Sequence, residues 1–186
     1  MSTIQTLLIT VGTAAITAWV TGLIIAPRIE ARKARILAAH KDRDQFSDSV
    51  LTILACCARL EAVEIPPEAS ASIRRSLLVE RQRWLKQIED ATCWLVDNTH
   101  RWAGTYVGFG GYRDLVLRYA AAVRFVFLSE RSKADKVVIL RELTEPVQEM
   151  FFARDRLRRA ALVPEQREKL AATLDRLDRE HENDGP

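Results

Sequence analysis

The sequence is poor in residues that interrupt helices. Seven glycines and six prolines serve 186 residues, and four of those glycines crowd into the stretch 104–111. An all-β domain, with a turn every few residues, is excluded by that scarcity. Three cysteines, Cys56, Cys57 and Cys93, are too few and too irregularly spaced for a disulfide framework, and suit a reducing compartment. The vicinal pair in ILACCARL reads as small apolar packing. Three histidines, His40, His100 and His181, stand far apart, and neither His-Glu-x-x-His nor a paired Glu-x-x-His occurs. A helix-borne zinc or di-iron centre therefore lacks its ligands. There is no Gly-x-Ser-x-Gly nucleophile elbow either. These gaps argue against an enzyme and against a bound cofactor or metal.

Charge is absent from one long run. Ile4 to Ala26 carries no charged residue, and ten of its positions are Ile, Leu or Val. As a helix it is about 35 Å long, enough to cross a hydrocarbon core of roughly 30 Å. Each aliphatic near the centre favours insertion by about 0.3–0.6 kcal/mol, while five threonines, Gln5, Gly12 and Gly22 oppose it. A cleaved signal peptide needs a positive start and a shorter core, and Ala26-Pro27-Arg28 is a poor cleavage site. A buried helix of a soluble oligomer is the other competitor. The run is expected to be a single transmembrane span.

Its flanks give the orientation. Residues 28–43 hold six basic residues against Glu30 and Asp42, whereas the N-terminal side has no Lys or Arg. The positive-inside rule places the N-terminus outside and the rest in the cytoplasm. Thr10, Ala14, Ala18 and Gly22 form a face of small residues at helical spacing, which suits close self-association in lipid.

The remainder reads as all-α: a transmembrane anchor at 1–27, a four- to five-helix antiparallel bundle at 28–180, and a flexible tail at 181–186. Phe46, Val50, Ile53, Cys57 and Leu60 recur at threes and fours in a first helix, over about 28–63, that Glu64-Ile65-Pro66-Pro67 ends. A second helix is expected from Glu68 to Trp102, striped by Leu77, Trp84, Ile88, Ala91 and Leu95. Leu78, Leu85 and Val96 widen its apolar face, which predicts a central position. A third covers about 111–130 through Leu115, Tyr119, Ala122 and Val126. Ser132 offers an N-cap to a fourth, with Asp135 at the third position after it. Leu140, Leu143, Val147, Met150, Leu157 and Ala161 fit one face of that segment, which Pro146 either kinks or divides. Val163-Pro164-Glu165 opens a last helix with a narrow seam of Leu170, Leu174 and Leu177.

Three stretches invite a functional reading. Gly104–Tyr112 is rich in glycine and aromatics, but lacks the Gly-Lys-[Ser/Thr] of a phosphate loop and the third glycine of a dinucleotide fingerprint. It is either a plain interhelical connection or an exposed partner loop through Tyr106, Phe109 and Tyr112. An anion held near Arg113 is a further alternative. Arg154, Arg156, Arg158 and Arg159 form a basic patch, read more simply as a solvated face, and no nucleic-acid-binding motif accompanies it. Asp97 and Arg101 are spaced for a surface ion pair.

Together these readings lead to a membrane-tethered helical interaction or regulatory module without catalysis, with a cytoplasmic protein partner and self-association as a homo-oligomer. The alternative is an oligomeric membrane effector, pore-forming or bilayer-disrupting, gated by its cytoplasmic helices.

Overall fold

The computed structural model describes Trp19, Gly22 and residues 26–102, 112–152 and 156–183. Within them the protein is all-α, with helices α1 (Ala26–Ala62), α2 (Ala71–Asp97), α3 (Thr99–Trp102), α4 (Tyr112–Leu128), α5 (Lys133–Phe152) and α6 (Arg156–Asn183). No strand occurs among the described residues. The chain divides into two compact units, Met1–Lys41 and Asp42–Pro186. Among the described residues, no helix is long and apolar enough to cross a membrane. The expected span at 4–26 lies outside them except for Trp19, Gly22 and Ala26.

In the first unit, residues 26–41 are helical and all but Ala39 are exposed. In the second unit burial begins at once. Phe46, Ser49, Val50, Ile53, Cys56, Cys57 and Leu60 are buried along α1, as the threes-and-fours spacing predicts. All of these but Ser49 join a single core with Ile88 and Leu95 of α2, Val116, Tyr119 and Val123 of α4, Leu140, Leu143 and Val147 of α5, and Leu170, Leu174 and Leu177 of α6. Each aliphatic or aromatic side chain taken fully from water contributes roughly 1.5–3 kcal/mol.

Cross-helix contacts fix the directions. Leu60 meets Arg81 and Cys56 meets Gln87, so α1 and α2 run antiparallel. Phe46 stacks against Phe151 and Phe152 while Glu61 pairs with Arg141, so α1 and α5 also oppose each other. Tyr119 faces Thr144 and Phe127 faces Lys136, which makes α4 and α5 antiparallel. Arg118 reaches Asp175 and Phe125 reaches His181, so α4 and α6 are parallel.

The helix starts follow local chemistry. The Ser70 hydroxyl accepts from the Ile73 amide and caps α2, three residues later than Pro67 suggests. At α5 the expected N-cap is present: Ser132 Oγ accepts from the Asp135 amide at 3.1 Å, while the Asp135 carboxylate accepts from the Ser132 hydroxyl at 2.6 Å instead of from its backbone N–H.

Several expectations are corrected. α2 stops at Asp97, and Asn98 separates it from the short α3, where Thr99 Oγ1 donates back to the Leu95 and Val96 carbonyls. α2 is not central. Only Ile88, Ala91, Thr92 and Leu95 are buried in it, whereas Leu78 is 48% and Val96 41% exposed. The central helix is α5, buried at nine positions that include Pro146. Pro146 neither divides it nor leaves Leu157 and Ala161 on it. α5 ends at Phe152, and those two residues belong to α6, which begins at Arg156 and contains Pro164. The tail is helical as far as Asn183.

Candidate functional site

Among the described residues, an open concavity lies in the second unit where α1, α2 and α5 meet. The C-terminal turn of α1, the first half of α2 and the first turns of α5 wall a cleft of about 650 Å³. Its lining is mainly apolar: Leu60, Val63, Ile65, Leu78, Leu85, Ala134, Val137 and Val138. Glu61, Glu64, Arg81, Gln82 and Lys133 stand among them.

Arg81 builds one wall. Its Nη1 donates to the carbonyls of Leu60 at 3.1 Å and Val63 at 2.6 Å. Those carbonyls end α1 and would otherwise lack intrahelical donors. The same guanidinium therefore closes α1 and locks the first helix to the second beside the cleft. On the neighbouring side, Glu61 binds Arg141 of α5 at 2.5 Å, and Arg141 Nε also reaches Glu145 at 2.9 Å. The hydrogen bond that Arg141 donates to Glu61 is the main reason the guanidinium holds its proton even more firmly than usual. Both fixed charges are thus spoken for. Val138 and Leu78, each 48% exposed, leave aliphatic surface open at the mouth, and Ile73 and Val79 continue exposed aliphatic surface along α2.

A second cleft of similar volume lies between α5 and α6, lined by Glu142, Glu145, Pro146, Glu149, Lys169 and Thr173 among others. Its ionic groups are largely engaged: Glu142 with Arg176 at 2.6 Å, and Lys169 with Glu165 at 2.6 Å.

The buried polar groups serve the core. Cys56 Sγ donates to Gln87 Oε1 at 3.2 Å. Cys57 is fully buried, and burial pushes its thiol up to about 12, with Cys56 and Glu61 adding to the effect. A thiol that keeps its proton is a poor nucleophile and a poor ligand. Tyr119 is likewise raised by burial, and its hydroxyl donates to Thr144 Oγ1 at 3.4 Å. Among the described residues, no group of three or more His, Cys, Asp and Glu side chains could hold a metal ion.

The sequence-predicted site residues are scattered. Thr10, Ala14 and Ala18 lie outside the described residues; Gly22 is exposed, with open space where a Cβ would stand. Tyr106 and Phe109 lie outside the described residues, and Tyr112 is the first residue of α4. Arg154 also lies outside them. Arg156, Arg158 and Arg159 begin α6 rather than ending the preceding helix. There the helix dipole disfavours cations instead of welcoming them. Three acidic residues near the C-terminus are committed elsewhere: Asp175 and Asp178 hold Arg118, and Glu180 holds Arg131.

Arg101 departs from its expected partner Asp97. It pairs with Asp42 at 2.8 Å, and the Asp42 side chain is only 13% exposed.

Comparison with protein-family models, with curated proteins and with solved structures finds no match. The functional reading therefore rests on the residues and their arrangement.

Sequence reasoning missed the cleft. Its walls come from three helices separated along the chain, and its exposed aliphatics are indistinguishable by spacing from core residues. The only available signal was an apolar stripe on α2 wider than one buried face needs.

Proposed function

We propose that the protein is a single-pass, membrane-tethered helical module, without catalytic activity, that holds a cytoplasmic protein partner. The tether is supported by the uncharged run 4–26 and by the basic flank that follows it. Self-association through Thr10, Ala14, Ala18 and Gly22 is part of the same reading.

The observation that carries the partner reading is the cleft at the α1–α2–α5 junction, apolar inside, open at its mouth and edged by charges of both signs. An amphipathic helix fits such a surface: aliphatic side chains enter between Leu78 and Val138, and its polar flanks meet Glu64 and Lys133. A nucleic acid would need a concentrated positive surface, which this edge lacks.

The test replaces both mouth residues, Leu78→Glu with Val138→Glu, in full-length protein extracted from membranes with mild detergent. Helix content should be unchanged, because both positions are half exposed. A protein that co-purifies with wild type, and rebinds it in pure form, should be lost from the double variant. Equal rebinding to both would refute the cleft as its seat. Full-length protein remaining in the supernatant after high-speed centrifugation without detergent would refute the tether. Exchange of the span for an unrelated one distinguishes the module from a bilayer-disrupting effector: the module keeps its partner, and the effector loses its activity.

A further inference from the structure

The cleft is not the only surface without cover. The helical segment from Ala26 to Lys41 is exposed at every residue but Ala39. It carries Arg28, Arg32, Lys33, Arg35 and Lys41 against a single acidic residue, Glu30. It also exposes three large aliphatics, Ile29 at 47%, Ile36 at 48% and Leu37 at 68%. A purely solvated polar helix has no use for these. At about 100° per residue, Ile29 and Ile36 lie within roughly 20° of each other, with Arg32 about 40° to one side of the pair and Lys33 about 40° to the other.

Aliphatics bracketed by basic residues on an exposed helix match the interfacial arrangement, in which apolar side chains enter the acyl boundary and cationic heads stay among phosphates. Position agrees. Arg28 follows the uncharged run directly, which brings the segment to the bilayer surface. Net charge selects the occupant, because a segment of this sign is complementary to an anionic surface and not to another copy of itself.

We propose that residues 26–41 form a binding surface for anionic phospholipid headgroups, with Arg28, Arg32, Lys33 and Arg35 on the phosphates and Ile29, Ile36 and Leu37 at the acyl boundary. Such contact presupposes the tether proposed above for its place at the bilayer, but adds a lipid preference that a bare span does not have. It makes the membrane's composition an input: a bilayer rich in anionic lipid would hold this segment down, and a neutral one would release it.

The test uses full-length protein reconstituted into vesicles of phosphatidylcholine alone, or of phosphatidylcholine with phosphatidylglycerol. An environment-sensitive fluorophore is placed on Leu37→Cys in a Cys93→Ser background; Cys56 and Cys57 are buried and their thiols hold their protons. Emission should shift to the blue in anionic vesicles only, the shift should be reversed by high salt, and R32E/K33E/R35E should abolish it. These positions are exposed, so the triple variant keeps its fold; R32Q/K33Q/R35Q should give an intermediate shift. Equal emission in the two vesicle types overturns the proposal. So does a blue shift in both that grows with protein-to-lipid ratio, which identifies a second copy of the chain as the occupant. Flotation separates the two readings. Protein that floats with neutral vesicles yet shows no lipid-dependent shift retains the tether and loses this surface. Protein that floats only with anionic vesicles loses the tether and retains the surface.

Discussion

The two halves of α1 are one helix by hydrogen bonding and two different objects by burial. Before Asp42 every residue but Ala39 is exposed; beyond it seven residues are buried, four of them, Phe46, Val50, Ile53 and Cys57, without measurable exposure. Helix formation is therefore not what distinguishes them. Residues 28–41 hold alanine, arginine, lysine and leucine, which are good helix formers unaided. The second half has more β-branched and aromatic residues, which gain their helical state from packing. One half needs its packing partners, and the other exposes charge and aliphatic surface.

The sharpest way to break that comparison is a pair of truncations. Phe46→Ala removes a ring that packs against Phe151 at 6.5 Å and Phe152 at 5.8 Å. It should cost about 3–5 kcal/mol in denaturant unfolding of the detergent-solubilised chain, with Ile53→Ala close behind. Ile36→Ala should cost less than about 0.5 kcal/mol. Similar costs for Phe46→Ala and Ile36→Ala would mean that the first half has a packing partner within the protein.

The next largest effect sits in the buried half and depends on pH. The folded Cys57 thiol keeps its proton up to about 12, against an ordinary value near 9. Between those values the unfolded chain binds fewer protons than the folded one, so stability falls as pH rises. The contribution is fully present below pH 9 and is lost as pH passes through 12, by an amount on the order of 4 kcal/mol. Tyr119, raised by the same burial, steepens the fall. Thermal melts from pH 8 to 11 should show a declining Tm, and Cys57→Ala should flatten the decline while lowering the starting point. An equal slope in both proteins would remove Cys57 as its cause.

How much of this was readable beforehand varies by element. The seam of Leu170, Leu174 and Leu177 and the stripe from Phe46 to Leu60 are periodic, and all are buried. Periodicity reports a face that something must cover. It does not report which residues stay uncovered, so Leu78 looked like core. Prolines misled in the opposite direction. Pro164 is favoured in a first turn, yet the preceding Arg156–Val163 is rich in strong helix formers that extend α6 upstream of it. Pro146 is buried inside α5, where packing outweighs the loss of one backbone hydrogen bond. The cleft was illegible because tertiary contacts such as Arg81 to the end of α1 assemble it. The same holds for Asp42–Arg101, where a partner distant along the chain displaced one four residues away.

That pair sharpens the comparison at its boundary, since Asp42 is the first residue of the second unit. Arg101→Ala would leave a carboxylate that is largely shielded from water without its cation. A fully buried pair would lose 3–5 kcal/mol; with Arg101 itself 42% exposed, a cost of about 1–2 kcal/mol is expected. Asp42→Asn in the same background should recover most of it, because the neutral amide no longer requires a countercharge. Failure of that rescue would show that Arg101 acts through packing.

The smallest effect concerns the exposed network that holds α6 against α4. Arg118 donates to Asp175 at 2.7 Å and to Asp178 at 2.8 Å, a geometry that looks strong and raises the guanidinium's already high proton affinity. All three side chains are well exposed, and exposed ion pairs contribute about 0–1 kcal/mol because water and salt screen them. Arg118→Ala should therefore cost less than about 1 kcal/mol, and its effect should vanish at high ionic strength. Leu174→Ala, one residue away from Asp175 but fully buried, should cost about 2–5 kcal/mol at any salt concentration. If the arginine proved the costlier of the two, α6 would be held by charge rather than by its leucines, and the contrast between buried and exposed surface drawn from α1 would not extend to the rest of the bundle.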